Sequence, residues 1–198
     1  MTTEHWEILV EEESMERALS AVLPKIIGAG SFRIYRHRGK PSLLENLPNR
    51  LQGYAKFLPS SHKIVVVVDR DNENCEELKA RIEVMARNAG LRTKRDNRGP
   101  AQVIVRIAIE ELEAWYFGDW AAVQAAYPKA HKPTQHCRAP DAIKGGTWEA
   151  FERCMKKSGY FASGLRKIEA ATKIAPYIDP GRNTSPSFKA FCRAMERI

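Results

Sequence analysis

The chain contains no run of about 18 apolar residues, so its sequence offers no membrane-spanning helix. A secretory leader would begin with basic residues and continue into an apolar core. Here Glu4, Glu7, Glu11, Glu12 and Glu13 occupy that region instead. The four cysteines, Cys75, Cys137, Cys154 and Cys192, have no C-x-x-C spacing, which argues against a zinc site or a disulfide framework. Cytoplasmic residence is the plain expectation. There is no G-x-S-x-G elbow and no G-x-x-x-x-G-K-[ST] phosphate loop. ATP hydrolysis would therefore have to come from a partner. Internal repeats and low-complexity tracts are absent as well.

What remains is a chain of 198 residues, 43% apolar, long enough for one sizeable core with an appended lobe. Its net charge is +8 and its isoelectric point is near 9.4, a balance that favours polyanionic partners, nucleic acid ahead of a membrane surface. The charge is unevenly spread. Acids dominate the first sixteen residues and recur at 110–113, while bases crowd 33–40, 92–98, 129–138, 153–157 and 182–197. Carboxylates in a basic surround suit metal-dependent phosphodiester chemistry; solvated surface charge without such a role is the plainer alternative.

Hydrophobic periodicity orders the chain as alternating strands and helices. His5–Val10 reads as a strand, followed by a helix that Ser14 is placed to cap and Gly28 and Gly30 to stop. Residues 32–36 alternate as a second strand, and the basic turn His37–Lys40 leads to a helical region from Pro41 to about Leu58, interrupted near Pro48. Residues 63–69 read as the central strand, apolar from Ile64 to Val68, a helix runs from about 74 to 88, and another strand spans about 102–109. Glu110 to Trp115 opens the next helix. This alternation predicts an α/β fold with a mostly parallel sheet flanked by helices over residues 1–128. Residues 128–147, with their prolines and Gly145-Gly146, read as a long loop or boundary. A helical C-terminal extension over 129–198 would pack on the first part, with pieces near 147–158, 164–176 and 186–197.

Three separated segments place acids just beyond an apolar strand. Glu11 follows the first, Asp69 and Asp71 end the central one, and Glu110, Glu111 and Glu113 follow the last. Residues two apart on a strand face the same way, so Asp69 and Asp71 are expected to aim at one point beyond the carboxyl edge, where ligands gather in open α/β sheets. Crowded carboxylates call for a shared proton, a basic neighbour or a divalent cation. Hard oxygen donors suit Mg²⁺ or Mn²⁺, and the acids of these three segments are the candidate ligands, with the choice among Glu110, Glu111 and Glu113 left open by the pattern. Lys40 is a candidate for neutralising phosphate. The alternative for Glu11 and for Glu110–Glu113 is that they serve helix N-termini. Trp115, Tyr116 and Phe117 read as helix core rather than as a base-stacking platform. His131 and His136 lie in a loop with nothing to fix them as a general base. Arg182, Asn183, Ser185 and Ser187 suit phosphate contacts, or, for the serines, a cap on the last helix.

Leu9–Glu16 with Val67-Val-Asp-Arg-Asp71 resembles the two signature motifs of the Toprim fold, a glutamate after the first strand and a D-x-D after a later one. Topoisomerases, primases, recombination proteins and nucleases of the OLD (overcoming lysogenization defect) family share that fold. More closely, the chain is similar to an uncharacterised bacterial Toprim-like family through Val10–Ser14, Gly39–Lys40, Val66–Asp71, Arg106–Trp115, Lys167–Ala171 and Asn183–Phe188. The resemblance implies a Toprim-like sheet, metal ligation by Asp69 and Asp71, and a first-motif role for Glu11 in acid–base chemistry or metal binding. It implies a second ion site completed by Glu111 and Glu113. One departure stands out: Glu12 occupies the place of the glycine that usually follows the first-motif glutamate. Members of that family are often encoded beside ATPases resembling those of ABC transporters and SMC proteins, which implies an effector in defence against phage. The expectation is a Mg²⁺- or Mn²⁺-dependent nuclease acting on DNA or RNA. A non-catalytic subunit that binds nucleic acid or an ATPase is the alternative, with a small-molecule phosphotransferase or phosphatase third.

Overall fold

Ile64-Val-Val-Val-Val68 is apolar at every position, which only a strand covered on both faces can accommodate. In the computed structural model, which describes residues 4–28, 30–96, 99–109 and 111–196, this segment lies in β3 (His62–Asp69). It pairs in parallel with β1 (His5–Val10) on one side and β4 (Val103–Ala108) on the other. β2 (Ser31–Arg36) pairs in parallel with the outer side of β1, giving the strand order β2-β1-β3-β4. The fold is thus an α/β architecture with a four-stranded, all-parallel sheet flanked by helices, as the sequence alternation requires.

Strand alternation splits the core into two faces. Leu9, Val66, Val68 and Val105 pack against α2 (Lys40–Phe57) and α3 (Cys75–Asn88), through Leu43, Leu47, Leu51, Leu78 and Ile82. Ile8, Val10, Val65, Val67 and Ile104 pack on the opposite face, against α1 (Glu13–Ile27) and the helices after β4. These are α4 (Glu113–Gly118), α5 (Trp120–Ala126), α6 (Thr147–Lys157), α7 (Lys167–Ile174) and α8 (Pro186–Glu196). α7 lies on α1 and α8 on β4, so residues after 129 complete one face of the sheet and share its apolar core. Residues 128–146 form the long connection, with two short 3₁₀ turns at Gln135–Cys137 and Pro140–Ala142.

Several local expectations change. α2 runs unbroken through Pro48. A mid-helix proline costs about 3 kcal/mol, whereas complete burial of Leu43, Leu47 and Leu51 contributes about 1.5–3 kcal/mol each, so packing wins. α1 begins at Glu13 with Glu12 at its cap, and the Ser14 hydroxyl donates to the Glu12 carboxylate instead of capping. α4 begins at Glu113 rather than Glu110, which lies outside the described residues. Ser185 does cap the last helix, its Oγ accepting from Phe188 N at 3.2 Å. Trp115, Tyr116 and Phe117 are buried core residues.

Candidate functional site

β1 and β3 are neighbours, yet the chain leaves β1 for β2 on one side and leaves β3 for β4 on the other. That reversal opens a crevice at the carboxyl edge, the usual ligand position in such sheets. Glu11 and Asp69 flank it. The pairing of Val10 with Val67 sets the two ends almost level, and Glu11 Oε1 accepts the Asp69 backbone N–H at 2.7 Å. Asp69 shares the strand face of Val65 and Val67, so its side chain turns toward α1 and the helices after β4.

On that side it meets Glu113, the first residue of α4 and almost fully buried. Burial, then the charges of Glu11 and Glu113, push the Asp69 carboxyl well above its ordinary range, against a smaller opposing pull from Lys167. Burial also raises Glu11 to about 7, although the Asp69 N–H and Lys40 oppose it. Glu113 is likewise raised to about 7 by burial, Lys167 opposing and Glu111 adding to the rise. Asp69 Oδ1 is buried with no hydrogen-bond partner among the described residues, an expensive condition for a carboxylate.

Glu111 is fixed from a distant part of the chain. Its Oε2 accepts from Thr147 Oγ1 at 3.1 Å and from the Trp148 backbone N–H at 3.0 Å, both at the start of α6, while Lys167 Nζ stands 3.9 Å from Oε1. Burial nonetheless raises the Glu111 carboxyl, the more so beside Glu149. Lys167, at the start of α7, also lies over the Trp148 ring at 5.6 Å. Burial would lower its ammonium, but Glu113, Glu111, Glu12 and Asp69 together hold it above the ordinary lysine range.

Asp71 behaves differently from Asp69. β3 stops at Asp69, and Asp71 takes the left-handed conformation with φ of 51°. The period-two argument therefore ends one turn too early to bring the pair together. Half-exposed, Asp71 forms an ion pair with Lys40 at 2.7 Å. Lys40 also donates to Glu73 at 3.1 Å and to the Arg70 carbonyl at 3.3 Å. Its ammonium is raised because Asp71, Glu73 and Glu11 outweigh its burial.

The site thus has an inner group, Glu11, Asp69 and Glu113 with Lys167, and an outer group, Asp71 and Lys40 with Glu73. Glu11 feels both. Among the described residues no three acid, histidine or cysteine side chains are closed into a cluster able to hold an ion. The chemistry of the donors still fits a hard divalent cation: surplus buried carboxylate oxygens, one of them orphaned. Lys167 and the α6 amide that hold the glutamates were not evident as site residues; the only signal was the Lys167–Ala171 pattern. His131 and His136 are exposed loop residues, outside the acid groups. Arg182, Asn183, Ser185 and Ser187 serve the fold. Arg182 pairs with buried Asp119 at 2.7 Å, Asn183 Nδ2 donates to the Trp115 carbonyl at 2.9 Å, and Ser187 Oγ accepts from Trp115 Nε1 at 3.1 Å.

A family model described as a domain of unknown function (DUF4276) matches residues 10–196. The chain belongs to this family. The match takes in every acid of the site together with Lys40 and Lys167, and it spans β2, β3, β4 and the closing helices, while β1 enters it only at Val10. No curated protein and no solved structure matches the chain.

Proposed function

We propose that this DUF4276 chain is a Mg²⁺- or Mn²⁺-dependent nuclease that hydrolyses phosphodiester bonds in DNA or RNA, related through its sheet and acidic motifs to the Toprim and OLD-family enzymes. One observation carries the reading. Asp69 is buried with an orphaned oxygen between two other acids, at the switch point of a parallel sheet in a basic chain. Three carboxyls raised this far are costly for folding alone, and such perturbed groups gather where chemistry is done. Glu11, Asp69 and Glu113 would hold the ion, with Glu111 beside them and Asp71 on the outer flank. A bound divalent ion would supply Lewis-acid stabilisation of phosphate charge and a nucleophilic hydroxide at neutral pH.

The chain's own groups have separable roles. Glu11, balanced near 7, is suited to hold or release a proton at its free Oε2. Lys40 is cationic and spends its three ammonium hydrogens on Asp71, Glu73 and a backbone carbonyl, so it would meet a phosphate oxygen by exchanging one of these partners. Glu111 has both its oxygens engaged and therefore positions Lys167 more readily than it moves protons. An ATPase partner and a part in defence against phage belong to this proposal through the family resemblance.

The test is cleavage of end-labelled single-stranded DNA, duplex DNA and RNA with Mg²⁺, Mn²⁺ or EDTA. The metal lanes should cut and the EDTA lane should not, and Asp69→Asn should abolish cutting while keeping the fold. Undiminished cleavage by Asp69→Asn would refute the assignment. A second reading is favoured by Lys167, which already neutralises part of the acid group from within. On that reading the chain is a non-catalytic subunit that binds nucleic acid or an ATPase. Mn²⁺ binding by calorimetry without cleavage, with or without the ATPase, would support it.

A further inference from the structure

Away from the acids, a cavity of about 540 Å³ opens between the 134–144 connection and the later turns of α6. Its volume is that of a small-molecule site. His136, Lys144, Arg153 and Lys157 stand around it, and no acid among the described residues lines it. Lys144, Arg153 and Lys157 are exposed and have no ion-pair partner among the described residues. Neighbouring Glu152 attracts Arg153 at longer range, but its direct contacts are Lys156 at 2.8 Å and the Leu165 backbone N–H at 3.1 Å. The floor is apolar, made by Ile143, Ala150 and the thiols of Cys137 and Cys154. A cationic rim over an apolar floor matches a phosphate carried on a flat, weakly polar body.

We infer that this cavity binds a nucleotide unit, its phosphate on Lys144, Arg153 and Lys157 and its base against the Ile143–Cys154 floor. Two sources share this chemistry, a free nucleotide and one nucleotide of a strand. The path of α6 connects the cavity to the first site. Trp148, whose amide holds Glu111, lies in the first turn of the helix, and Arg153 and Lys157 follow by five and nine residues, about 8 and 14 Å along its axis. A strand seated in the cavity would therefore reach the acids within a few nucleotides. Only this strand source rests on the nuclease reading; the cavity's charge and shape do not.

The test measures binding in EDTA, where metal-dependent cleavage does not contribute. Fluorescence anisotropy of labelled oligo(dT) and oligo(rA), and calorimetry with free AMP and UMP, are run on the full chain and on Arg153→Ala/Lys157→Ala. Lys56→Ala/Lys189→Ala, at two exposed lysines elsewhere, makes the same change in net charge. The cavity variant should lose roughly tenfold or more in affinity and the control far less. Loss confined to oligonucleotides identifies the strand as the source, and loss with free nucleotides identifies the mononucleotide. Equal loss in both variants, or none in either, overturns the site. On unmutated protein, bound ligand should slow alkylation of half-buried Cys154, read by peptide mass spectrometry, and leave half-buried Cys75 unchanged. Unslowed Cys154 under saturating ligand is equally decisive against it. Failure of cleavage with these binding results intact would remove the nuclease reading and leave the cavity assignment standing.

Discussion

Replacing Glu113 with glutamine separates what this side chain costs the fold from what it contributes to the site. Its carboxyl sits at about 7 in the folded chain against an ordinary 4.5, chiefly because burial penalises the ionised form. Between those values the folded chain holds a proton that the unfolded chain has released, so stability falls as pH rises through the window. Above about pH 7 the loss is complete; 2.5 units correspond to roughly 3 kcal/mol. Glutamine has nearly the same shape and no charge to desolvate. Glu113→Gln should therefore stabilise the chain by roughly 2–3 kcal/mol at about pH 8, equivalent to a melting-temperature gain of about 5–10 °C for a domain of this size. At about pH 4 the native glutamate is protonated in both states, and the two proteins should melt within about 2 °C of each other. The assay is thermal melting by circular dichroism in EDTA at the two pH values and constant ionic strength. Equal gains at both, or a loss at about pH 8, would show that buried charge is not what Glu113 brings to the fold.

Mn²⁺ at about a hundred times its dissociation constant should add roughly 2.7 kcal/mol to the unmutated chain at about pH 8 and far less near pH 5, where protons occupy the acids; melting with and without the ion reads this, and equal gains would place the ion elsewhere. Lys167→Met should destabilise by roughly 3 kcal/mol at about pH 8 and by less near pH 5, because it leaves Glu113, Glu111 and Asp69 without their shared cation; urea titration at both pH values measures the difference. Gly118→Ala should cost roughly 3 kcal/mol, because a Cβ there would stand 2.1 Å from Asn183 Oδ1 and 2.8 Å from the Ser185 backbone nitrogen. Chemical denaturation checks it, and an unchanged midpoint would mean that the turn at 183–185 yields without penalty.

The legible part of this molecule was what depends on short-range pattern. Ile64–Val68 could only be a doubly covered strand, and Glu11 and Asp69 had to fall at its carboxyl edge once β1 and β3 paired in parallel. Asp71 was misplaced because a strand's period holds only while the strand continues, and a left-handed residue redirected it to Lys40. Pro48 suggested an interruption that three buried leucines override. The cation of the inner group was hidden for another reason. Lys167 reaches Glu111 and Glu113 only because α7 packs on α1, a long-range contact that no local spacing announces. The Asn183–Phe188 motif was visible as a pattern, but its work in clasping Trp115 and Gly118 emerged only from packing.

That dependence of Glu111 and Glu113 on α6 and α7 has a consequence for how the protein comes into being. On the ribosome, Glu11 and Asp69 emerge early, yet the lysine that opposes the charge of Asp69 and the amide that grips Glu111 are translated long afterwards. A nascent chain stopped near residue 128 would carry the acids on a half-covered sheet, its greasy face open to chaperones and its centre unassembled. Truncation cannot distil a minimal working fragment from such a design, because the last third of the polypeptide finishes what the first third begins.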